Sequence, residues 1–562
     1  MSASCLADVE NEVVGLFFNK EYLAVENRIQ PLLEQHPDWL NGWKILSDTL
    51  LVQGKEAKKA AGKALALNQH DAAEHCYFGL ILKAEGDLMG AADSFAKAIE
   101  LNPNSASAHN NLGIVKKDSG QVPEGITHYQ KALKINPDYS DCFSNLLFCL
   151  SHYDGIDART LFKRHGAYSD QYEKPLIPKW RMHRNDRCRD RKLRVGFVSA
   201  DFREHSVANC LLPLLEHLQN SKELTLFAYY NHSIEDEITR TLQGHFAHWT
   251  NINDKADGDV VQIVQEHGID ILVDLSGHTA GNRLRLFAMK PAPIQVSWFG
   301  YLATTGLKAM DYYLADAYLA PNKLLDKYFS EKLVKLPVNA SFVAAAHSPD
   351  ISPLPALEKS YVTFGSFNRP SKVSDSTIVQ WAALLQAIPT STLLLGAMAR
   401  NDSDNTFVTR FAKSGIDESR LIFHARTSLQ DYMALHEKVD ICLDTQPSSS
   451  ITPTFFALWM GVPTLCMEAQ TLTGRGSMAI MSHLNLTGFV AKDSQDFINK
   501  GKYWSDNRHE LDQIRQSMRE RFYASRLADS RCLSQALEVA FRKMWHIWCK
   551  RQSKRSFEVD AQ

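Results

Sequence analysis

The chain divides by the period of its apolar positions. Up to about residue 150 these recur at helical spacing, whereas from Leu193 onward they come in short β-branched runs separated by helical stretches. The helical part repeats itself every 34 residues: Gly79, Gly86, Phe95, Ala98, Asn102 and Pro103 return as Gly113, Gly120, Tyr129, Ala132, Asn136 and Pro137. One period back, Ala64, Leu67 and Asn68 keep step, while Gly54 is two residues out of register with Gly86. One period forward, "DCFSNLLFCL" (141–150) reads as a lone first helix. Apolar residues on both sides of each Gly, with Pro closing the second helix, predict three to four helix pairs. A helix pair cannot bury its apolar face alone, so stacking gives a solenoid with a concave surface.

Beyond Leu193 the runs "LRVGFVSA", "LTLFAYY", "IDILVDLSG" and "IQVSWFG" predict one series of strands. A second series follows in "YVTFGSFN", "STLLLGA", "RLIFHA", "VDICLDT" and "VPTLCM", with amphipathic helices between most of them. Strand–helix alternation predicts parallel sheets covered on both faces, hence two doubly wound, Rossmann-like domains. The expected organisation is helical repeats over 1–155, a helical and basic linker over 156–192, α/β domains over 193–355 and 356–545, and a basic tail over 546–562. The charge run "KWRMHRNDRCRDRK" (179–192) is expected to be solvated. The segment "ALEVAFRKMWHIWCKRQSKR" is expected to be an amphipathic helix packed back across both domains, followed by the tail.

Composition narrows the function classes. A net charge of −2 gives no general electrostatic reason to bind nucleic acid or an anionic membrane. No apolar run reaches the ~18 residues of a membrane span, and the start "MSASCLADVENEVVG" lacks a secretory h-region. The ten cysteines are scattered without a C-x-x-C or a metal-ligand cluster, which reads as free thiols in the cytoplasm.

In open parallel sheets ligands bind beyond the C-terminal ends of the strands. Those ends offer Asp201 to His205, "DLSGHTAGNR" with His278, and "GYLATTG" with Thr304 in the first domain. In the second they offer "FNRPSK", with Arg369 and Lys372, and "DTQPSSSITPT", with Ser450 and Thr452. Neither a Gly-x-Gly-x-x-Gly nor a Walker loop is present. Thr452 as N-cap with Pro453 at N1 would instead offer a helix N-terminus to a phosphate, with Lys372 and Arg475 as cations. This is the outline of a sugar-nucleotide transferase whose leaving diphosphate is stabilised by fixed charges rather than a metal. The D-x-D spacing of Asp402, Ser403 and Asp404 falls in a polar loop past a strand and is read as solvated.

Two resemblances sharpen this outline. The 34-residue period resembles the tetratricopeptide repeat, in which an Asn on the first helix often lines the concave face and holds an extended peptide. Asn111 and Asn145 match that position, and Tyr77 breaks the ladder. The segments "LRVGFVSADFREHSVA", "KPAPIQVSWFGY" followed by "MDYYLAD", "TFGSFNRPSKVSD" and "VDICLDTQP…ALWMGVPTLCMEAQTLTGRG" resemble protein O-N-acetylglucosamine transferases and the SPINDLY proteins over roughly 190–545. The resemblance implies a GT-B pair of domains, inverting and metal-independent transfer, UDP-N-acetylglucosamine as default donor and a protein acceptor held by the repeats. It also implies that the domain starting at Leu193 faces the acceptor and the other the donor. His205 matches the family histidine beside donor and acceptor, proposed as base or positioning group. Lys372 matches the lysine on the diphosphate, Thr452 a phosphate-contacting threonine, and His278 a histidine of bacterial members.

Departures from the family pattern cluster in the donor turn. A phosphate-turn Thr is replaced by Pro453, the Asp that holds the ribose by Phe456, and the residue three before Lys372 is Arg369 in place of Gln or Asn. Two alternatives therefore stay open: a repeat-bearing binding protein that has lost turnover, and the same enzyme with another donor such as GDP-fucose.

Overall fold

The computed structural model describes residues 3–321, 325–343, 348–398 and 406–560, so Asp402, Ser403 and Asp404 lie outside the described residues. The chain separates into two compact units, Met1–Cys149 and Leu150–Gln562.

The first unit is helical throughout. Four antiparallel pairs run from Ala3–Phe18 with Tyr22–Gln35 to Ala106–Asp118 with Val122–Ile135, and a further helix, Ser140–Leu150, follows. The repeat period has a steric basis: a Cβ on Gly79 would stand 2.7 Å from the Phe95 ring, and one on Gly113 2.8 Å from Tyr129. Glycine and aromatic thus recur together because the aromatic of the second helix seats against the backbone of the first. Gly86 and Gly120 turn between the helices at φ +85° and +81°, and Gly54, although out of register, does the same at +68°.

The second unit holds two parallel sheets. The first is built from β1 (Leu193–Ser199), β2 (Leu224–Tyr230), β3 (His248–Asn251), β4 (Ile271–Asp274), β5 (Ile294–Ser297), β6 (Tyr312–Asp316) and β7 (Lys332–Leu336). The second contains β8 (Thr363–Ser366), β9 (Thr392–Leu395), β10 (Leu421–Phe423), β11 (Ile441–Leu443), β12 (Thr464–Met467) and β13 (Val490–Ala491). One more strand, β14 (Phe557–Glu558), returns to the first sheet, whose order is β14-β7-β6-β5-β4-β1-β2-β3; the second runs β10-β9-β8-β11-β12-β13. Central strands such as β4 and β5 are buried at every position, which is why they read as continuous apolar runs rather than alternating ones. The chain reverses direction across the first sheet between β1 and β4, and across the second between β8 and β11. Such switch points are where open α/β sheets form their ligand crevice.

The charge run expected to be solvated is built into the fold, and so is the basic tail. Within the charge run, Arg191 donates to both oxygens of the fully buried Asp270 at 2.7 and 2.6 Å and lies over Trp545, while Arg187 lies over Trp548. Upstream, the helix Ala158–Tyr172 buries His165, Tyr168 and Tyr172. Next to it, Glu173 accepts from the backbone of Lys308 and Ala309 at 2.8 and 2.6 Å. The basic tail carries β14, and the helix before it, Ser530–Cys549, packs on the first sheet through Leu533, Leu537 and Phe541. Arginine stems and guanidinium faces cover aromatic rings here, so a high charge count does not mean a solvated chain. Among the described residues no helix is long and apolar enough to cross a membrane.

Candidate functional site

Both switch points end in loops stitched by a buried carboxylate. Asp274, the last residue of β4, accepts from the backbone of Ser276 and Gly277 at 3.1 and 2.9 Å and from the Ser297 hydroxyl at 3.1 Å. Burial pushes its carboxyl up to about 6. Asp444, just past β11, accepts from the hydroxyls of Ser449 and Ser450 at 2.6 and 2.9 Å and from the Ser450 amide at 3.0 Å. Burial raises its carboxyl as well, and the serine hydrogen bonds oppose this. Neither aspartate stood out in the sequence, although the signal was present: an Asp closing an apolar run, followed at once by small polar residues, is the pattern of a side chain folding back on its own turn.

Lys372 closes the short 3-10 turn Pro370–Lys372 after β8 and reaches across the second switch point, donating to the Ser449 carbonyl at 2.6 Å. Burial pushes its ammonium down to about 8 against the pull of Asp444, and Arg369 pushes the same way as burial. Next to it, the helix Thr452–Trp459 points its first turn at the loop. Here the sequence reading is corrected: the N-cap is Ile451, without a side-chain cap, so Thr452 is the first helical residue and Pro453 the second. Ser450, expected to face a donor, is buried and gives its hydroxyl to Asp444. Its neighbours Ser449, Thr454 and Ser477 complete a buried hydroxyl cluster, with Thr454 and Ser477 2.8 Å apart. Thr452 stays half-buried at the start of the helix, where the first turn also leaves backbone N–H groups unpaired, although Pro453 contributes none.

At the first switch point His205 is the N-cap of the helix Ser206–Leu218, its Nδ1 accepting from the Val207 amide at 3.3 Å and lying 3.6 Å from Asp201 Oδ2. A neutral imidazole that accepts at Nδ1 carries its proton on Nε2, leaving Nε2 as a donor. Burial holds the His205 imidazolium below its ordinary range, opposed by Asp201 and assisted by Arg203 and Arg369. Burial likewise raises Asp201, against His205, Arg203, His232 and Arg369. Arg369 stands in the second domain, so its charge links the two switch points.

Three sequence candidates lie elsewhere. His278 is fully buried, bonded to the Thr305 carbonyl at 2.9 Å and enclosed by the rings of Tyr168, His165 and Tyr301. Thr304 is buried and donates to Glu331 at 2.6 Å. Arg475 spends its guanidinium on the carbonyls of Tyr318 and Ala469, joining the loop after β6 to that after β12. All three spend their polar groups on protein contacts, and Thr304 also lines a cavity with Thr471 and Thr473. Phe456, in the place of the family's ribose-binding Asp, packs edge-on against Phe342 and Tyr432 at 5.3 and 5.5 Å between centroids.

In the repeat unit, Asn145 donates to Asn110 at 3.0 Å, and Asn110 in turn approaches Asn111 at 3.5 Å, so the two ladder asparagines are joined through a third. Tyr77, which breaks the ladder, bonds to Asp48 and to the Lys44 carbonyl at 2.8 and 3.0 Å.

Comparison with known proteins gives the same architecture. The chain is 31% identical over 72% of its length to "Probable UDP-N-acetylglucosamine--peptide N-acetylglucosaminyltransferase SPINDLY" of Hordeum vulgare, covering 43% of that protein. It is 27% identical over 66% to the protein of similar title named SEC of Arabidopsis thaliana, covering 39% of it. The chain thus spans less than half the length of these curated relatives. Among solved structures, a mutant of the O-GlcNAc transferase of Thermobaculum terrenum superposes with a TM-score of 0.84 at 27% identity, covering 94% of this chain and 99% of that one. A TPR repeat model matches residues 79–120. The Glycosyl transferase family 41 model matches 143–352 and 353–537, and the chain belongs to that family.

Proposed function

We propose that this chain transfers a sugar from a nucleoside-diphosphate donor to a Ser or Thr hydroxyl of a protein held on its repeats, in the cytoplasm and with inversion at the sugar. The observation that carries this reading is the Lys372 ammonium seated on the Ser449 carbonyl at the second switch point, beside a helix N-terminus, with the charge of Arg369 acting both on it and on the His205–Asp201 pair. The acceptor hydroxyl attacks the anomeric carbon in line as the bond to the diphosphate breaks. Lys372 and the first-turn amides of Thr452–Trp459 stabilise the charge that develops on the leaving phosphate, a role that needs neither metal nor cofactor. His205, donating from Nε2, orients the acceptor or the sugar rather than removing the proton; the proton leaves through water or Asp201. Asn111 and Asn145 hold the acceptor's backbone on the repeat unit. UDP-N-acetylglucosamine is the first donor to try, as the relatives' names direct.

A second reading, a repeat-bearing binding protein without turnover, draws on Phe456: an aromatic ring packed on Phe342 and Tyr432 cannot accept a hydrogen bond from ribose. The test is transfer of labelled N-acetylglucosamine from UDP, or labelled fucose from GDP, to proteins of a cell extract. Label released by alkaline β-elimination and absent with Lys372→Ala supports the enzyme and names the donor. No label above that control with either donor supports the second reading.

A further inference from the structure

We propose that the first α/β domain docks on an anionic lipid surface through a cationic floor at the N-terminal ends of its strands, opposite its switch point. The inference is independent of the donor site.

The charge of the chain is unevenly placed. Residues 179–194 carry eight Lys and Arg against two Asp, and residues 550–555 carry four against none, in a chain whose net charge is −2. The first segment leads into β1 and the second into β14. Both strands run parallel to the rest of their sheet, so both segments lie where its strands begin, whereas the switch-point loops lie where they end.

Contacts join the two segments into one surface. The second issues from the helix Ser530–Cys549, whose Trp545 and Arg542 donate to the carbonyls of Cys188 and Arg189 at 3.2 and 2.6 Å. Farther along, Trp180 donates to the Ala288 carbonyl at 2.8 Å, Asn185 to that of Gly268 at 3.2 Å and Lys554 to that of Met310 at 2.9 Å. These acceptors precede β5, β4 and β6 in turn, so the segments are pinned across the floor.

The pinning groups are backbone and half-buried side chains, which leaves the charge outside. Ten of the twelve cations are exposed; the other two are Arg191, on Asp270, and Lys554, beside Asp311. Nearby Glu223 and Glu558 pair with the half-buried Arg542 and Lys335 rather than with the exposed cations. Within the two segments Asp186 and Asp190 are the acids that oppose this charge. Like charges held together repel one another and focus a field on an outside anion.

Two features select a lipid surface over a single phosphate or a short acidic peptide. The cations spread along the row of strand starts instead of converging on a pocket: β1 and β14 stand five strand spacings apart in the sheet, about 24 Å. Among them Met182, 88% exposed, follows Arg181 directly and precedes Arg184 by two residues. An apolar chain so flanked enters the headgroup region while its basic neighbours meet the anionic groups. Each Lys or Arg near such a surface is worth about fivefold in binding.

The test is co-sedimentation of the full chain with vesicles of phosphatidylcholine alone and of phosphatidylcholine with about 30% phosphatidylglycerol. The chain should bind the anionic vesicles and not the neutral ones, and should come off at about 0.5 M salt. Replacing Arg181, Arg184, Lys550 and Arg551 together by Gln should weaken binding at least about thirtyfold, with the thermal melt unchanged. Failure of the wild type to prefer anionic vesicles overturns the inference, and so does undiminished binding by the fourfold variant. Tighter and more salt-resistant binding to polyglutamate or to duplex DNA, lost in the same variant, overturns it too, since the floor would then serve an acidic protein or a nucleic acid.

Discussion

The Lys372 ammonium donates to the Ser449 carbonyl at 2.6 Å, joining the loop after β8 to the loop after β11. The two strands are neighbours in the sheet, so the contact spans the point where the chain reverses its direction of winding. It also places a desolvated cation at the first turn of the helix Thr452–Trp459. On the proposed reading, a diphosphate arriving there would take the place of the carbonyl as partner, in a loop whose Ser450 amide is held by Asp444. Four consequences can be measured.

Donor binding should weaken in alkali. Burial leaves the Lys372 ammonium at about 8, and a diphosphate engages the protonated form. Above that value binding must take up a proton, so the dissociation constant for UDP rises by up to about tenfold per pH unit. Titrations at roughly pH 7, 8 and 9 check this; a constant affinity across the range contradicts it.

Asp444→Asn should damage the turn rather than remove a charge from the donor. The carboxylate accepts three hydrogen bonds from Ser449 and Ser450, and an amide can accept at only one of its two heavy atoms. The expected cost is about 2 kcal/mol of stability, with UDP affinity falling at least about tenfold as Ser450 and Ile451 lose their place. Denaturant melts paired with titration decide; unchanged stability and affinity would show that the turn holds itself.

Phe456→Asp, which restores the family residue, should not restore a ribose contact. The ring packs on Phe342 and Tyr432, so the substitution opens a gap and places a carboxylate against aromatic faces, costing about 2 kcal/mol. Uridine nucleotide affinity should stay level or fall. A gain of tenfold or more would show that the pocket still accommodates the family's ribose geometry.

The second unit should lose stability in mild acid. His165 and His436 are fully buried and held at about 4 by burial, with hydrogen bonds to backbone carbonyls only partly opposing it. Unfolded imidazoles protonate near 6.5. The stability contributed by keeping these rings neutral is complete above that value and is lost as pH falls from about 6.5 toward 4, ~2 kcal/mol each by pH 5. Thermal melts should show Tm dropping by several degrees between about pH 7 and 5; a flat Tm would mean that both rings protonate in place.

Much of this architecture is legible in the residues. The repeat period is visible because Gly79 and Phe95, and Gly113 and Tyr129, answer one steric demand twice. The central strands are visible because burial on both faces writes them as unbroken apolar runs. Edge strand β14 is two residues long and sits after a basic stretch, so nothing local marks it; its pairing with β7 is a tertiary outcome. Lys372 and His205 could be singled out because they follow the ends of strands, and the structure places Lys372 in the turn after β8 and His205 at the N-cap of the helix after β1. His278, Thr304 and Ser450 also follow strands, yet each turns inward to a carbonyl or carboxylate. Position along a strand is written in the sequence, whereas the direction in which a polar side chain spends its hydrogen bonds depends on neighbours distant in the chain.

The most direct measurement is calorimetric titration of UDP and GDP into the wild type and Lys372→Ala. Micromolar binding of one nucleotide, weakened by roughly thirtyfold or more in the variant, is the result expected if Lys372 and the Ser448–Thr454 loop form a diphosphate site. Equal affinity in the two proteins would contradict that assignment and, with it, the transfer mechanism built on it.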